Sequence, residues 1–388
     1  MNIYITTQGA RIIREGRHLL VKKGEDTYHT LFVQKLRQVA LMGNIDLTPA
    51  ALRILMRNGV DTVFLTQDGR YIGRMATPEP KNVMLRKKQF ALLDAPAFGA
   101  AFCRKIVHGK LVSMMTLLMR IKRTKDNQTA ANKAREIKNL LPHVENNDSI
   151  DSLRGYEGRG SAIYFSAFRH GFLEDHGFSR RVRRPPTDRV NAVLSLLYTF
   201  LFNRVYAAIR LANLDPFPAF LHTPDYGRHS LVMDLMEEFR VILVDTLTLA
   251  LFNLKVLQKD DFRQETTDTR LLSQKNSTEA QTPDVTSDPY GLSAEPPPTN
   301  SFDLPPQRLN DTLEHAMEEE GRDRPAVLLT PDAMKRVIEN FERKMAASLY
   351  YAPLERKVTY QEAMVGQARQ YRKVVEGEIR EYQPLILQ

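Results

Sequence analysis

The chain has 388 residues, 43% hydrophobic and 26% charged, with 55 Lys and Arg against 46 Asp and Glu and a formal charge of +9. That length predicts two domains rather than one small core, and the lack of any eighteen-residue apolar run is read as excluding a membrane span. A single cysteine, Cys103, excludes a disulfide framework, a zinc ribbon and a cysteine-bound cluster. With no basic-then-apolar leader in Met1-Asn2-Ile3-Tyr4, an intracellular, cytoplasmic protein is expected.

In chain order, the first eighty residues read as β-structure. Asn2–Thr6, Arg11–Arg14, His18–Lys22 and Thr62–Thr66 are short, often β-branched and parted by glycine-containing turns. Gln67-Asp68-Gly69-Arg70 is a turn signal before Tyr71-Ile72. One helix interrupts, with Thr48 as N-cap, Pro49 at the first helical position and Gly59 as its stop. After Pro78 and Pro80, helical periodicity runs from Val83 to Leu140, with Leu111, Met114, Met115, Leu118 and Ile121 as a core stripe. Further helices are predicted from about Gly155 to Phe172, Asp188 to Leu211, Ser230 to Leu257, Pro331 to Tyr350 and Thr359 to Tyr382. Residues 264–306 break the pattern. Seven prolines and twelve Ser or Thr with few large apolar groups predict a disordered insertion. Its local charge of −5 leaves +14 for the rest, a balance suited to a polyanion binder.

Three segments carry chemistry. In Arg154-Gly155-Tyr156-Glu157-Gly158-Arg159-Gly160-Ser161, Glu157 shares a helical face with Gly160, Ser161 and Tyr164. Small residues there let another helix or a phosphate approach the carboxylate; taken alone, the pattern more often marks an exposed helix-start glutamate. In the second, Asp234 and Glu237 are three apart beside the apolar Leu231, Leu235, Met236 and Phe239, so these acids need a partner, either Arg240 or a cation. His222 arrives on the loop before them. Imidazole with carboxylates suits Mg²⁺, Mn²⁺ or Zn²⁺, and the oxygen majority favours the first two. His229 reads as a helix-start or phosphate-contact residue. The third is Arg180-Arg181-Val182-Arg183-Arg184-Pro185-Pro186-Thr187-Asp188, a stiffened arginine loop before a helix N-terminus and a candidate phosphate site. Nucleotide-binding loops of the GxxxxGK[ST] and GxGxxG types and HExxH are absent. Cys103, between Phe102 and Arg104 in a helical run, reads as an inert thiol.

Taken in order, these segments resemble the universal CRISPR-associated adaptation protein family, the spacer-acquisition integrases also described as metal-dependent DNA endonucleases. The resemblance rests on Phe64-Leu65-Thr66-Gln67-Asp68-Gly69-Arg70, Leu153-Arg154-Gly155-Tyr156-Glu157-Gly158, and Arg183-Arg184-Pro185-Pro186-Thr187-Asp188. It continues through Leu214-Asp215-Pro216, Phe220-Leu221-His222, Asp234-Leu235-Met236-Glu237, Asp260-Asp261-Phe262 and Tyr382-Gln383-Pro384. Asn213 and Ala219 depart from it, standing where glycines are usual. The resemblance implies an α+β fold, with a β-rich N-terminal dimerisation domain over 1–80 and a mainly α-helical catalytic domain over 81–388. It implies Glu157, His222 and Glu237 as catalytic residues holding Mg²⁺ or Mn²⁺, with Asp234 as an accessory ligand. Expected DNA contacts are Arg181, Arg183, Arg184, Arg228, Arg240 and Tyr164. The implied partners are double-stranded DNA (spacer precursor and CRISPR repeat), a second copy of the chain and a small adaptation protein; an accessory adaptation nuclease is left open. Two other readings compete: a plain metal-dependent DNase, and a non-catalytic architectural protein whose acids pair with Arg159 and Arg240.

Overall fold

The fold is given by a computed structural model that describes residues 1–75, 82–182, 185–265 and 325–387. Its first 75 residues form β1 (Asn2–Ile5), β2 (Ala10–Glu15), β3 (His18–Lys23), β4 (Asp26–Phe32), β5 (Gln38–Met42), β6 (Ile45–Leu47), α1 (Pro49–Arg57), β7 (Asp61–Leu65) and β8 (Tyr71–Arg74). The strands make two four-stranded sheets, ordered β1-β5-β7-β8 and β4-β3-β2-β6. The helix forms as its punctuation predicts. The Thr48 side chain accepts from the Ala51 amide, Pro49 opens the first turn, and Gly59 follows at φ +62°. The β7–β8 hairpin turns at Gly69, whose φ of +87° suits glycine and whose amide donates to Thr66 O at 2.9 Å.

Strand β5 explains how this part joins the rest. It pairs in parallel with β1 on one side and β7 on the other, and all five of its residues are buried. Val39 and Leu41 face a small core with Ile12, Leu19, Val21 and Leu55, whereas Ala40 and Met42 face the large helical core with Val63 and Leu65. Strands β4, β5 and β6 were not expected from the sequence. β5 reads as the unbroken run Val39-Ala40-Leu41-Met42, and β4 is an exposed edge strand without a period-two apolar pattern.

The remaining chain is mainly helical. It contains α2 (Val83–Ala91), α3 (Pro96–Lys125), α4 (Gln128–Lys138), α5 (Leu141–Glu145), α6 (Ile150–Phe168), α7 (Arg189–Leu211), α8 (Ser230–Phe239) and α9 (Thr246–Asn253). After these come β9 (Phe262–Glu265), β10 (Ala326–Leu329), α10 (Pro331–Ala346), β11 (Ser348–Tyr351), β12 (Arg356–Thr359) and α11 (Tyr360–Glu376). Several expected boundaries move. α6 starts at Ile150 because Ser149 caps it, and α10 stops at Ala346 because Ser348–Tyr351 pairs as a hairpin with Arg356–Thr359. α11 ends at Gly377, φ +79°, and an irregular tail then buries Tyr382 and Leu385. The expected insertion loses its first two residues, since Gln264 and Glu265 pair with Val327 and Ala326; residues 266–306 lie outside the described residues. α7 is long and apolar enough to cross a membrane, with a mean hydropathy of 1.5, yet 67% of that stretch is buried inside the protein, as in a core helix. Cys103 is fully buried, and burial pushes its thiol far up, in keeping with an inert group.

The single helix expected from Ser230 to Leu257 is interrupted by a π-helical segment, Arg240–Asp245. Its wider turn aims Asp245 inward, where the carboxylate accepts from the Tyr164 hydroxyl at 2.9 Å and the Tyr198 hydroxyl at 2.7 Å. Burial raises the Asp245 carboxyl from 3.8 to about 6, against the two phenol hydrogen bonds. The folded state therefore binds this proton more tightly than the unfolded chain. The resulting penalty is absent below about pH 4, grows as pH rises to about 6, and stays at neutral pH at about 3 kcal/mol. Asp245→Asn is expected to remove that dependence. Urea unfolding at pH 4.5 and 7.5 should show a smaller fall in stability for the variant; equal falls would refute the assignment.

Candidate active site

The site starts with a close approach of two helices. Gly160 on α6 faces Leu111 of α3 so tightly that a Cβ there would lie 2.1 Å from Leu111 Cδ2. This contact brings Lys110, adjacent to Leu111 on α3, against Glu157, three residues before Gly160 on α6. The small residue beside the carboxylate does admit another helix, as the sequence suggested. Gly155 and Gly158, by contrast, face open space.

The Lys110 side chain is 6% exposed, and its ammonium touches both Glu157 Oε1 and Glu237 Oε2, the latter at 2.5 Å. Glu237 Oε1 accepts from Arg240 Nε at 2.8 Å, and Ser161 Oγ donates to Glu157 Oε1 at 2.9 Å. Burial alone would raise both carboxyls. For Glu157 the Lys110 ammonium outweighs it and holds the group below the usual range; for Glu237, Arg240 and Lys110 together hold it down to about 2. Both acids are therefore ionised at neutral pH. Glu237 Oε2 makes no aligned hydrogen bond despite its short ion-pair distance, so the ammonium is a close charge rather than a directed donor.

His222 is delivered by a loop clamped from two sides. Asp234 on α8, wholly buried, accepts from the amides of Phe220 and Leu221 at 3.0 Å, from the His222 amide at 2.8 Å, and from His222 Nδ1 at 2.8 Å. Arg154 on α6 donates to the carbonyls of Phe220 and Leu221. The carboxylate against Nδ1 makes that nitrogen the donor and turns Nε2 toward Glu237 Oε1, 3.8 Å away. The departures in this region are accommodated. Asn213 takes the left-handed φ of +59° that a glycine would adopt, and Ala219 is buried.

Glu157 and Glu237 thus meet on the Lys110 ammonium, and His222 Nε2 lies 3.8 Å from Glu237 Oε1. Asp234 does not join them: all its accepting capacity is turned to the His222 loop, which corrects its expected place as an accessory ligand and makes it a positioning residue. Tyr164 is also corrected. Its side chain is fully buried and its hydroxyl is bound to Asp245, so it cannot touch DNA. Arg181 reaches Val182 O, Asn191 Oδ1 at 2.9 Å and Ser195 Oγ at 3.1 Å, bracing the loop on α7. Arg183 and Arg184 lie outside the described residues. Arg228 is half-buried beside Met233, and Arg240 turns inward over the Tyr198 ring toward Glu237. His229 is the N-cap of α8, packed against Phe217 and Tyr206. The architectural reading is half met: Glu237 does pair with Arg240, but Glu157 pairs with Lys110 rather than Arg159. Lys110 and Arg154 were missed. The available signal for Lys110 was a lysine on the buried α3 face, in step with Val107 and Met114.

Among the described residues no three His, Cys, Asp or Glu side chains stand at ligating distance of one point; the Lys110 ammonium stands between the two glutamates. The donor chemistry nevertheless fits a divalent ion: two ionised carboxylates, one of them with an oxygen lacking an aligned donor, and an imidazole nitrogen oriented by a buried carboxylate. Glu157 keeps 25% of its side chain exposed and His222 21%, so the site opens to solvent. A separate cavity of about 1570 Å³, lined in part by Arg74, Arg204, Arg210, Tyr206 and Arg369, includes none of these groups.

The chain and its α+β fold match a known family. A model of the family described as "CRISPR associated protein Cas1" matches residues 3–281, and the chain belongs to that family. It is 39% identical over 254 residues to "CRISPR-associated endonuclease Cas1 1" of Thermus thermophilus, covering 65% of this chain and 76% of that protein. It is 32% identical over 262 residues to "CRISPR-associated endonuclease Cas1 3" of the same organism, covering 67% and 76%. The fold is similar to that of TM1797, a Cas1 protein from Thermotoga maritima, at TM-score 0.72 and 18% identity over the full length of both chains. It also resembles a casposase bound to integration product, at TM-score 0.75 and 17% identity, covering 98% of this chain and 92% of that one.

Proposed function

We propose that this protein is a CRISPR spacer integrase, joining foreign DNA to the repeat by phosphodiester transfer, with DNA endonuclease activity from the same site. The observation that carries the reading is that Glu157 and Glu237 meet on the Lys110 ammonium, with His222 Nε2 3.8 Å from Glu237 Oε1 and both acids held ionised. Mg²⁺ or Mn²⁺ would be held by these three groups, where it would polarise a phosphoryl oxygen and acidify the attacking hydroxyl. Asp234 and Arg154 fix the His222 loop. Arg240, stacked on Tyr198, supplies a fixed positive charge for the charge that develops in transfer. A nucleophilic side chain is not needed, in keeping with a buried Cys103. Water in place of a DNA 3′-hydroxyl gives cleavage.

The division of labour follows the same reading: residues 1–80 serve dimerisation and residues 81–388 catalysis. Strand β4 offers an exposed edge with Tyr28 and Phe32, a surface suited to a second copy. Arg183, Arg184 and Arg228 contact DNA phosphates, and Arg181 holds its own segment on α7. A small adaptation protein binds as the partner, a reading supported by the likeness in fold to part of one chain, 36% of its length, in a "Cas6-RT-Cas1--Cas2 complex", and the protein works in the cytoplasm.

The test is strand transfer of a short duplex into supercoiled repeat DNA, with Mg²⁺, Mn²⁺ or EDTA, with and without the small partner. Joined products that depend on the ion are expected. Cleavage without joined products would reduce the protein to a DNase. DNA binding unaffected by the ion and without chemistry would make it architectural.

A further inference from the structure

We propose that Lys110 is a built-in competitor of the divalent ion: its ammonium occupies the place between Glu157 and Glu237 and must leave before an ion can bridge them. The inference rests on the metal reading above and concerns a residue outside the ligand set.

Geometry comes first. Among the described residues, Lys110 is the cation that touches both glutamates. Oxygen ligands hold Mg²⁺ at about 2.0–2.1 Å, so an ion bridging these carboxylates would fall where Nζ now stands. Two like charges cannot share that place. Arg240 is not the exchangeable cation. It contacts Glu237 alone, and its guanidinium is fixed over the Tyr198 ring. Lys110 hangs on a flexible four-carbon stem, can swing, and carries a strongly hydrated point charge.

The chemistry supplies the reason for such a residue. With only Arg240 present, two glutamate carboxylates facing one another at the join of α3, α6 and α8 would repel. The ammonium between them offsets that repulsion. The same contact that stabilises the ion-free protein weakens ion binding, since the ammonium's attraction must be given up. Removing the ammonium should therefore separate two properties that usually fall together, lowering the melting temperature without ion while tightening the ion.

The test is Mn²⁺ binding by electron paramagnetic resonance, with thermal melts in parallel, on wild type, Lys110→Met and Glu237→Gln. Lys110→Gln is measured beside them, since it keeps a donor for Glu157 without charge and covers a failure of Lys110→Met to fold. The expected result is a Kd for Mn²⁺ at least tenfold lower in the Lys110 variants, with a lower melting temperature without ion and a larger Mn²⁺-induced rise. A Kd equal to or weaker than wild type in a folded Lys110 variant, with wild-type binding lost in Glu237→Gln, overturns the competitor role and leaves the metal reading standing. Mn²⁺ binding that is absent in wild type and in the Lys110 variants, or unchanged in Glu237→Gln, overturns both.

Discussion

Glu157→Gln is expected to abolish strand transfer and cleavage while leaving the protein folded. The amide keeps an oxygen for Ser161 and for Lys110, so the α3–α6 contact through Gly160 and Leu111 is retained. What is lost is the negative charge, and with it one of the two carboxylates proposed to hold the ion. Loss of a residue that merely orients a ligand costs about 10–100-fold, so loss of the ligand itself should exceed about a hundredfold. Glu157 is the more exposed glutamate, at 25% against 3% for Glu237, which makes the substitution the less disruptive of the two. Strand-transfer rates at saturating Mg²⁺, with a melting curve on the same preparation, check both halves. Activity within threefold of wild type would remove Glu157 from the chemistry. A collapse of the melt would make its role structural.

The punctuation of the chain was legible because it is local. Thr48, Pro49 and Gly59 bound a helix through contacts within one turn, and Asp188 caps α7 by accepting from the Asn191 amide. What depends on distant partners was not. Strand β5 is covered on both faces, so its residues carry no alternation from which a strand could be told apart from a buried helix turn. The π segment after α8 has no composition of its own. In the site, Glu157, His222 and Glu237 could be named from ligand chemistry and from the family resemblance, but Lys110 stands forty-seven residues before Glu157 and meets it only through helix packing. Asp234 and Glu237 show the same limit at close range. Their spacing put them on one helical face, yet one carboxylate meets backbone amides and the other meets Lys110 and Arg240. That choice is made by where the 220–222 loop returns, which no i, i+3 rule contains.

Asp234→Ala is expected to be the most destabilising single change at the site. Its carboxylate is the partner of the Phe220 and Leu221 amides, both buried, and of the partly buried His222 amide and ring. Each buried amide left unpaired costs about 1–3 kcal/mol, so two of them alone remove about 2–6 kcal/mol from a total of only about 5–15. The His222 amide is near enough to solvent to find water and adds less. Arg154 still holds the carbonyls of Phe220 and Leu221 from α6, so the loop should pivot on that contact rather than detach. His222 would then drift from Glu237. Asp234→Asn separates the two effects, because its single oxygen keeps part of the amide network while its NH₂ opposes the remaining donors. Urea unfolding should rank wild type, Asn and Ala in falling stability, with Ala at least about 2 kcal/mol below wild type. Mn²⁺ affinity should fall in both variants, since neither presents a carboxylate to His222 Nδ1. An Ala variant within 1 kcal/mol of wild type would mean that the three amides are satisfied by another partner, and that Asp234 is free to act as a ligand after all.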